Sequence, residues 1–283
     1  MGPHSFDVTY RALVMGILNR TPDSFYDAGE YWDFDDFLRK AEKLVDDGAD
    51  FLDVGGVKAG PGDEVDETEE LERVIPALEA LRSRFDIPLS VDTWRSAVLR
   101  QAIDTGANIG NDISGFADPE YLKVAAEGDA TVVATHIRLA PRVPDPEPVY
   151  EDLVADVKSF LKDCVDRALA AGLSAQRIVV DAGLDLGKTP RMSWELLHAS
   201  DELASLGLPL LLSASNKRFL FELLETSRYD VESGTYAAHA LGIAKGCRVI
   251  RAHDVRAARR LCDIMSDILH VRDRRRPYPS IRG

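Results

Sequence analysis

Short apolar segments alternate with longer amphipathic segments along almost the whole chain of 283 residues. The short segments are bounded by turn residues, and the longer ones repeat their apolar positions with the period of an α-helix, which together indicate βαβ units. The predicted strands cover residues 12–18, 51–54, 89–91, 108–113, 131–134, 177–180, 209–212 and 248–251. Eight strand and helix pairs within about 270 residues match the size of a (β/α)8 TIM barrel. An open doubly wound sheet is the alternative, because periodicity does not distinguish the two.

Amphipathic segments follow the predicted strands. In the first of them, Phe37, Leu38, Ala41 and Leu44 recur at helical spacing and mark one buried face. The predicted helices cover residues 35–47, 66–84, 96–104, 120–127, 150–171, 193–206, 217–225, 233–245 and 255–269. Because no shift in composition marks a linker, one domain is predicted over residues 1–283, with flexible ends at residues 1–8 and 272–283.

The chain is acidic, with 34 Lys and Arg against 48 Asp and Glu and a formal net charge of -14. An acidic body repels a phosphate backbone or an anionic membrane surface, so neither nucleic acid nor membrane is a predicted partner. The three cysteines lack metal-site spacing, and no apolar segment is long enough for a signal peptide or a membrane helix. A reducing, cytoplasmic location is therefore predicted.

Polar residues follow nearly every predicted strand, at the end of a barrel where active sites lie. They are Asn19, Asp53, Asp92, Asn111, Asp112, His136, Asp181, Ser213, Ser215, Lys217, Arg251, His253 and Asp254. Each has an ordinary structural explanation when taken alone, since an aspartate at such a position often caps the next helix. Asp53 and Asp92 are each ambiguous in this way, and Asp254 is better explained as a cap. A structural barrel does not need so many polar groups at one rim, so together they predict a site.

These polar residues divide by chemistry. The hydrogen-bond acceptors and amide are Asp92, Asn111 and Asp181, which suit a flat heterocycle with several N–H donors. The cationic donors are Lys217, Arg218, Arg251 and His253. Because TIM barrels often bind phosphate with the loops after strands seven and eight, the predicted ligand is a polar heterocycle linked to a phosphate.

Six motifs carry a resemblance to a known family. They are MGILNRTPDSF at residues 15–25, SVDT at 90–93, NDISG at 111–115, DAGLDLGKT at 181–189, SNKRF at 215–219 and RAHDV at 251–255. In this order and spacing they resemble dihydropteroate synthase, the folate-pathway target of sulfonamides, over about residues 12–270. The resemblance implies a TIM barrel, a homodimer and the joining of 6-hydroxymethyl-7,8-dihydropterin pyrophosphate to 4-aminobenzoate with Mg2+ as cofactor.

The resemblance also implies roles for individual residues. The pterin contacts would be Asp92, Asn111, Asp181 and Lys217, and the pyrophosphate contacts would be Arg251 and His253. Arg218 is predicted to bind substrate as a further cation at the same rim. Asn19 would lie near the phosphate and the metal. Asp27 matches a loop carboxylate at the reacting centre, and it is predicted to be catalytic together with Lys217 and Asp92.

The chain departs from the family on the acceptor side of the expected site. Family members usually carry GGESTRPG in the second loop, whereas residues 55–62 read GGVKAGPG, so that a Glu, two hydroxyls and an Arg are replaced. Lys58 could replace part of the lost charge, without the planar fork of an Arg. The third loop has Asp185 and Leu186 in place of the usual Gly and Phe. Thr135 and Asn216 likewise stand where the family usually has Met and Arg.

These departures leave two functions open. One is a working dihydropteroate synthase with a remodelled second loop. The other is a weak or inactive paralogue that binds a pterin or uses another acceptor, since the chain also resembles the diverged second dihydropteroate synthase of actinobacteria. A pterin-binding methyltransferase domain is a third class, and the retained RAHD motif argues against it because that class has no pyrophosphate to hold.

Overall fold

A closed barrel of parallel strands forms the centre of the molecule, with the strands paired in the order of the sequence. The computed structural model describes residues 1–20, 34–60, 62–223 and 231–270. The strands are β1 Leu13–Asn19, β2 Phe51–Gly55, β3 Leu89–Asp92, β4 Ile109–Asp112, β5 Thr131–Thr135, β6 Ile178–Asp181, β7 Leu210–Leu212 and β8 Cys247–Ala252. Because β8 pairs with β1, the predicted (β/α)8 barrel is confirmed and the open sheet is excluded.

Helices surround the barrel. In the described part of the chain they are α1 Phe34–Asp46, α2 Glu67–Arg82, α3 Ser96–Asp104, α4 Tyr121–Glu127, α5 Leu153–Ala170, α6 Pro190–His198, α7 Ser200–Ala204, α8 Arg218–Leu223, α9 Glu232–Ala244 and α10 Val255–His270. The predicted helix 193–206 is two helices. The first of these begins earlier because the Thr189 hydroxyl accepts a hydrogen bond from Met192 N, and Pro190 fits the first turn.

Apolar side chains pack on both faces of the strands, as parallel strands covered by helices require. Outside the barrel, a large cluster joins the strands to the helices. Inside the barrel, a smaller cluster fills the half nearer the beginnings of the strands. It consists of Leu13, Met15, Phe51, Ile109, Val133, Val179, Leu211 and Val249. Met1, Phe6 and Val8 pack against this inner cluster, a contact that the sequence did not suggest. The N-terminal segment therefore covers the end of the barrel where the strands begin, and the inner cluster separates it from the opposite end, where the strands finish.

No helix in the described part of the chain is long and apolar enough to cross a membrane.

Candidate active site

A layer of polar side chains lies above the apolar cluster inside the barrel. Successive residues of a strand point to opposite faces, so the residue two places after an inward apolar residue also points inward. In this way Phe51, Ile109, Val179 and Val249 are followed by inward polar residues. These are Asp53, Asn111, Asp181 and Arg251. The inward face of the barrel therefore changes from apolar to polar at the carboxyl end of the strands, which is where the site is predicted.

Arg251 is held by two carboxylates at the centre of this layer. Its Nε donates to Asp53 Oδ2 at 2.8 Å, and its Nη2 donates to Asp92 Oδ2 at 3.1 Å. Asp53 is fully buried and also accepts hydrogen bonds from Ser90 Oγ at 2.6 Å and from Asn111 Nδ2 at 3.2 Å. Asp53, which the sequence left ambiguous, is therefore the acceptor around which Arg251, Asn111 and Ser90 are arranged.

The carboxylates of this layer lie in a low-dielectric environment. Burial and the neighbouring Asp53 raise the pKa of Asp92 to about 7, against the opposing effect of Arg251. Burial also raises the pKa of Asp181, whose Oδ1 accepts from Gly183 N at 2.8 Å, and it raises the pKa of Asp112 to about 6. A ligand with N–H donors would favour the ionised form of these groups and would bind better as they lose their protons.

Two lysines hold the loop that follows β6. Lys217 Nζ donates to Leu184 O at 3.0 Å, while the buried Lys188 Nζ donates to Gly183 O at 2.9 Å and Leu186 O at 3.0 Å. Burial lowers the pKa of both amines, that of Lys188 to about 7. Sequence reasoning missed Lys188, since a lysine after a glycine in a loop is ordinarily exposed.

His136 completes this arrangement as a neutral ring. Burial and the nearby Lys188 lower the pKa of His136 to about 3, and its Nδ1 lies 2.8 Å from Lys188 Nζ. In its ammonium form Lys188 has only donors, so His136 Nδ1 then accepts from Lys188 Nζ. His136 therefore belongs to the support of the loop after β6.

His253 is neutral as well. Burial and the adjacent Arg251 lower the pKa of His253 to about 3. The Ser215 hydroxyl lies 3.0 Å from His253 Nδ1, and when it donates there the ring hydrogen is on Nε2. Nε2 would then be the atom that donates to an anion.

A cavity of about 530 Å³ opens at the rim above Lys217 and is called the rim cavity below. Its walls are formed by Lys58, Ala59, Gly60, Asp185, Leu186, Asn216, Lys217, Arg218, Phe221 and His253. Arg218 is exposed and pairs with Glu222, with 3.0 Å between Nε and Oε1. Within the described part of the chain, Asp92, Asn111 and Asp181 are not among the wall residues and lie in the polar layer instead. The cavity is thus faced by two of the predicted donors, Arg218 and His253, and by three replaced residues of the second loop, Lys58, Ala59 and Gly60. Arg251 lies in the polar layer, on Asp53 and Asp92.

Asn19 ends β1 beside the polar layer. A Cβ built on Gly55 would lie 3.5 Å from both Asn19 Oδ1 and Asp92 Cβ, so that the amide and the carboxylate flank this glycine. No group of three or more His, Cys, Asp or Glu side chains suited to a metal occurs among the described residues. Mg2+ usually keeps several waters and binds one or two protein oxygens together with substrate phosphates, which fits a single amide oxygen at this position. Asp27 lies outside the described residues.

Residues 15–253 match the profile of the family described as pterin binding enzyme. The chain belongs to this family. The dihydropteroate synthase of Bacillus subtilis (strain 168) is 38% identical over 270 residues, which cover 95% of this chain and 92% of the relative. A protein of Mycobacterium leprae (strain TN) named inactive dihydropteroate synthase 2 is 41% identical over 279 residues, which cover 96% of this chain and 95% of the relative.

The three-dimensional comparison agrees. The crystal structure of the Yersinia pestis dihydropteroate synthase with a sulfonamide drug superposes with a TM-score of 0.89 at 35% identity, and the match covers 94% of this chain and 96% of that one. The resemblance to dihydropteroate synthase inferred from the six motifs is therefore confirmed.

Proposed function

We propose that this protein binds 6-hydroxymethyl-7,8-dihydropterin pyrophosphate and transfers its pterin methylene to an aromatic amine with release of pyrophosphate. We further propose that 4-aminobenzoate is a slow acceptor. The observation that carries the proposal is Arg251, which is fixed by Asp53 and Asp92 at the junction between the acceptor groups of the polar layer and the cationic groups of the rim.

The pterin half of the substrate suits the polar layer. Asp92, Asn111 and Asp181 supply carboxylate and amide oxygens for the N–H groups of the ring, and the partly buried Lys217 supplies a donor for a ring acceptor. A group that is already buried and oriented loses little further entropy on binding, which favours recognition of a flat ring by fixed partners.

The pyrophosphate half suits the guanidinium of Arg251 and the neutral ring of His253. A guanidinium has five N–H donors, so Arg251 retains donors beyond those used on the two carboxylates, and His253 adds one more. Asn19 would hold Mg2+ together with phosphate oxygens, and a bound Mg2+ would neutralise part of the charge that the leaving group gains.

The transfer begins with cleavage of the bond between the pterin methylene and the pyrophosphate oxygen. The bonding electrons leave with pyrophosphate, whose charge is stabilised by fixed cationic donors. The electron-rich dihydropterin spreads the positive charge that develops on the methylene. The amine nitrogen then forms the new C–N bond and gives up a proton, to solvent or to the carboxylate of Asp27, which the resemblance assigns to the reacting centre.

The acceptor side of the site supports the slow use of 4-aminobenzoate. Ala59 and Gly60 line the rim cavity where the family usually has a hydroxyl and a guanidinium, and Leu186 stands there in place of a Phe. Loss of one donor aimed at developing charge typically costs about 10²- to 10³-fold in rate. Two such losses would leave little turnover with this acceptor.

A second candidate is a pterin-binding protein without synthase activity. The Mycobacterium leprae relative, which is named inactive, favours this alternative at 41% identity. Both candidate functions require the polar layer, so only a measurement of turnover distinguishes them.

The test is an assay of the purified protein with the pterin pyrophosphate, Mg2+ and 4-aminobenzoate, in which dihydropteroate and pyrophosphate are both measured. The Bacillus subtilis enzyme is assayed beside it. We expect turnover at least 100-fold below that enzyme, with Lys217→Ala reducing it further. Equal turnover of the two proteins would refute the slow use of 4-aminobenzoate. Calorimetric binding of the pterin pyrophosphate with no turnover under any acceptor would favour the second candidate.

A further inference from the structure

A second cavity of about 260 Å³ adjoins the rim cavity and is called the side cavity below. The two cavities have several wall residues in common. These are Ala59, Gly60, Asp185, Leu186 and Arg218. Because they share a wall along this length, the two cavities form one cleft at the carboxyl end of the barrel.

The unshared wall residues give the cleft a direction. Of these two cavities, Lys217 and His253 line the rim cavity, whereas Arg142 and Pro144 line the side cavity. The inner end therefore lies at the groups expected to hold pterin pyrophosphate, and the outer end lies at the loop after β5. Ala59, Gly60 and Leu186 stand between the two ends, where larger side chains are usual in the family.

Arg142 is built into the outer end. Its backbone has a positive φ of 66°, and its Nη2 donates to the carbonyl oxygen of Asp63, which joins the loop after β5 to the loop after β2. The nearby Asp145 is paired with Arg138, with 2.6 Å between Arg138 Nε and Asp145 Oδ2. Because Arg138 neutralises that carboxylate, Asp145 does not offset the positive charge that Arg142 brings to the wall of the side cavity.

Arg218 carries a second positive charge on the shared wall. Its partner Glu222 is 46% exposed, and a surface ion pair of this kind is weak and readily exchanged for a ligand carboxylate. Arg142 at the outer end and Arg218 on the shared wall thus lie along the cleft, and the same shared wall has lost the hydroxyl and the guanidinium of the second loop.

We propose that the cleft binds an aromatic amine longer than 4-aminobenzoate, with its amine at the inner end and an anionic group at Arg142 and Arg218. This inference rests on the proposed function and names the acceptor class for the same transfer reaction, so the bonds formed and broken are unchanged. A guanidinium binds a carboxylate through paired N–H donors, which makes the outer end selective for an anion.

Three probes of graded length and charge test the inference. They are 4-aminobenzoate, 4-aminohippurate and the neutral 4-aminobenzoylglycinamide. Each is titrated by calorimetry into the protein alone and into the protein saturated with the fully oxidised pterin pyrophosphate, whose electron-poor ring does not support ionisation. We expect 4-aminohippurate to bind at least 10-fold more tightly than either of the other two probes.

Variants of the outer end test the role of charge. Arg142→Gln should weaken binding of 4-aminohippurate about 10-fold and leave binding of 4-aminobenzoate and of the pterin pyrophosphate unchanged. Arg142→Lys should retain most of the preference, and Arg218→Gln should reproduce the loss. Arg100→Gln on α3, which removes an exposed arginine paired with Glu127, is the matched control.

Equal binding of 4-aminohippurate and 4-aminobenzoate, or a preference that survives both Arg142→Gln and Arg218→Gln, would overturn the inference. Failure of the proposed function is a separate result, namely no binding of the pterin pyrophosphate. In that case the titrations into the protein alone still decide whether the outer end selects an anionic amine.

Discussion

Arg251 Nε and Asp53 Oδ2 lie 2.8 Å apart inside the barrel and join two residues that are 198 positions apart in the sequence. The pair links β8 to β2, although these strands are not neighbours in the barrel. Asp53 is fully buried, and Arg251 has a side-chain exposure of 17%, so the pair is shielded from water. The last strand thus presents its guanidinium to the site in an orientation that the second strand determines.

Removal of Asp53 should therefore destabilise the fold and disorient Arg251. Breaking one partner of a buried ion pair typically costs about 3–5 kcal/mol, and the remaining Asp92 places the expected loss for Asp53→Ala near 3 kcal/mol. Urea unfolding measures this loss. Asp263→Ala, which removes an exposed partner of Arg259, should cost less than about 1 kcal/mol. A cost for Asp53→Ala no larger than that of the control would contradict the anchoring role.

The affinity for the pterin should depend on pH through Asp92. The pKa of Asp92 is raised from 3.8 to about 7 by burial and by Asp53, so its carboxylate forms only as the pH rises through neutrality. Binding of an N–H donor ligand, followed by calorimetry, should strengthen between pH 6 and pH 8, and Asp92→Asn should reduce this rise. A wild-type affinity that is flat over this range would argue against Asp92 as the ring contact.

The raised pKa of Asp92 affects the stability of the fold in the opposite direction to ligand affinity: affinity rises with pH, whereas stability falls. Between about pH 4 and pH 7 the folded protein keeps the Asp92 proton that the unfolded chain has released. The contribution of Asp92 to stability is therefore greatest at low pH and is lost as the pH rises towards 7.

The sequence predicts the barrel and most of the polar layer because both depend on local periodicity. Asp53 and Asn111 each follow an apolar residue of the same strand by two places, and this spacing already assigns them to the inward face. Their partners were not predictable, because the bonds from Arg251 and Asn111 to Asp53 join residues that only closure of the barrel brings together. A count of inward positions along β2 could have decided that Asp53 belongs to the site and is not a helix cap.

The burial of Lys188 could not be predicted from the sequence either. Its donors satisfy carbonyl groups of the loop after β6, and the need for such a donor arises only from how that loop folds. Motif spacing places Lys188 next to the site and does not reveal that it is buried.

Replacement of Lys188 should lower stability more at pH 9 than at pH 6. Burial lowers the pKa of Lys188 to about 7, so between pH 7 and its ordinary value near 10.5 the unfolded chain binds a proton that the folded protein lacks. The contribution of this group to stability therefore rises with pH. Lys188→Met removes this rise and leaves Gly183 O and Leu186 O without a donor, at a cost of about 1–3 kcal/mol for an unsatisfied buried group.

Chemical unfolding at the two pH values gives the comparison for Lys188→Met. The exposed Lys123, which pairs with Glu120, provides the control variant Lys123→Met. If the loss for Lys188→Met were the same at both pH values, the lowered pKa of Lys188 would not be supported.

Restoration of the usual second-loop residues should raise synthase activity. In the described part of the chain, a Cβ built on Gly60 would meet Lys58 Cε at 4.0 Å, which is an ordinary contact, so there is room for a side chain. The double variant Ala59→Thr with Gly60→Arg returns two donors to the rim cavity and should increase kcat/KM with 4-aminobenzoate by at least 10²-fold. The same double variant combined with Lys217→Ala should show no such gain. An unchanged rate in the first case would mean that the second loop is not what limits this reaction.

Two arginines of β8 lie at opposite ends of the barrel, and a comparison of their variants tests whether the polar layer binds the pterin pyrophosphate. Arg251 lies in the polar layer, whereas Arg248 donates to Thr9 O and Ile243 O at the other end. Calorimetric titration with 6-hydroxymethyl-7,8-dihydropterin pyrophosphate, in protein whose fold is verified by circular dichroism, should show binding to the wild type and to Arg248→Gln, and at least 10-fold weaker binding to Arg251→Gln. Binding that is absent in the wild type, or equal in Arg251→Gln and the wild type, would contradict a pterin pyrophosphate site in the polar layer.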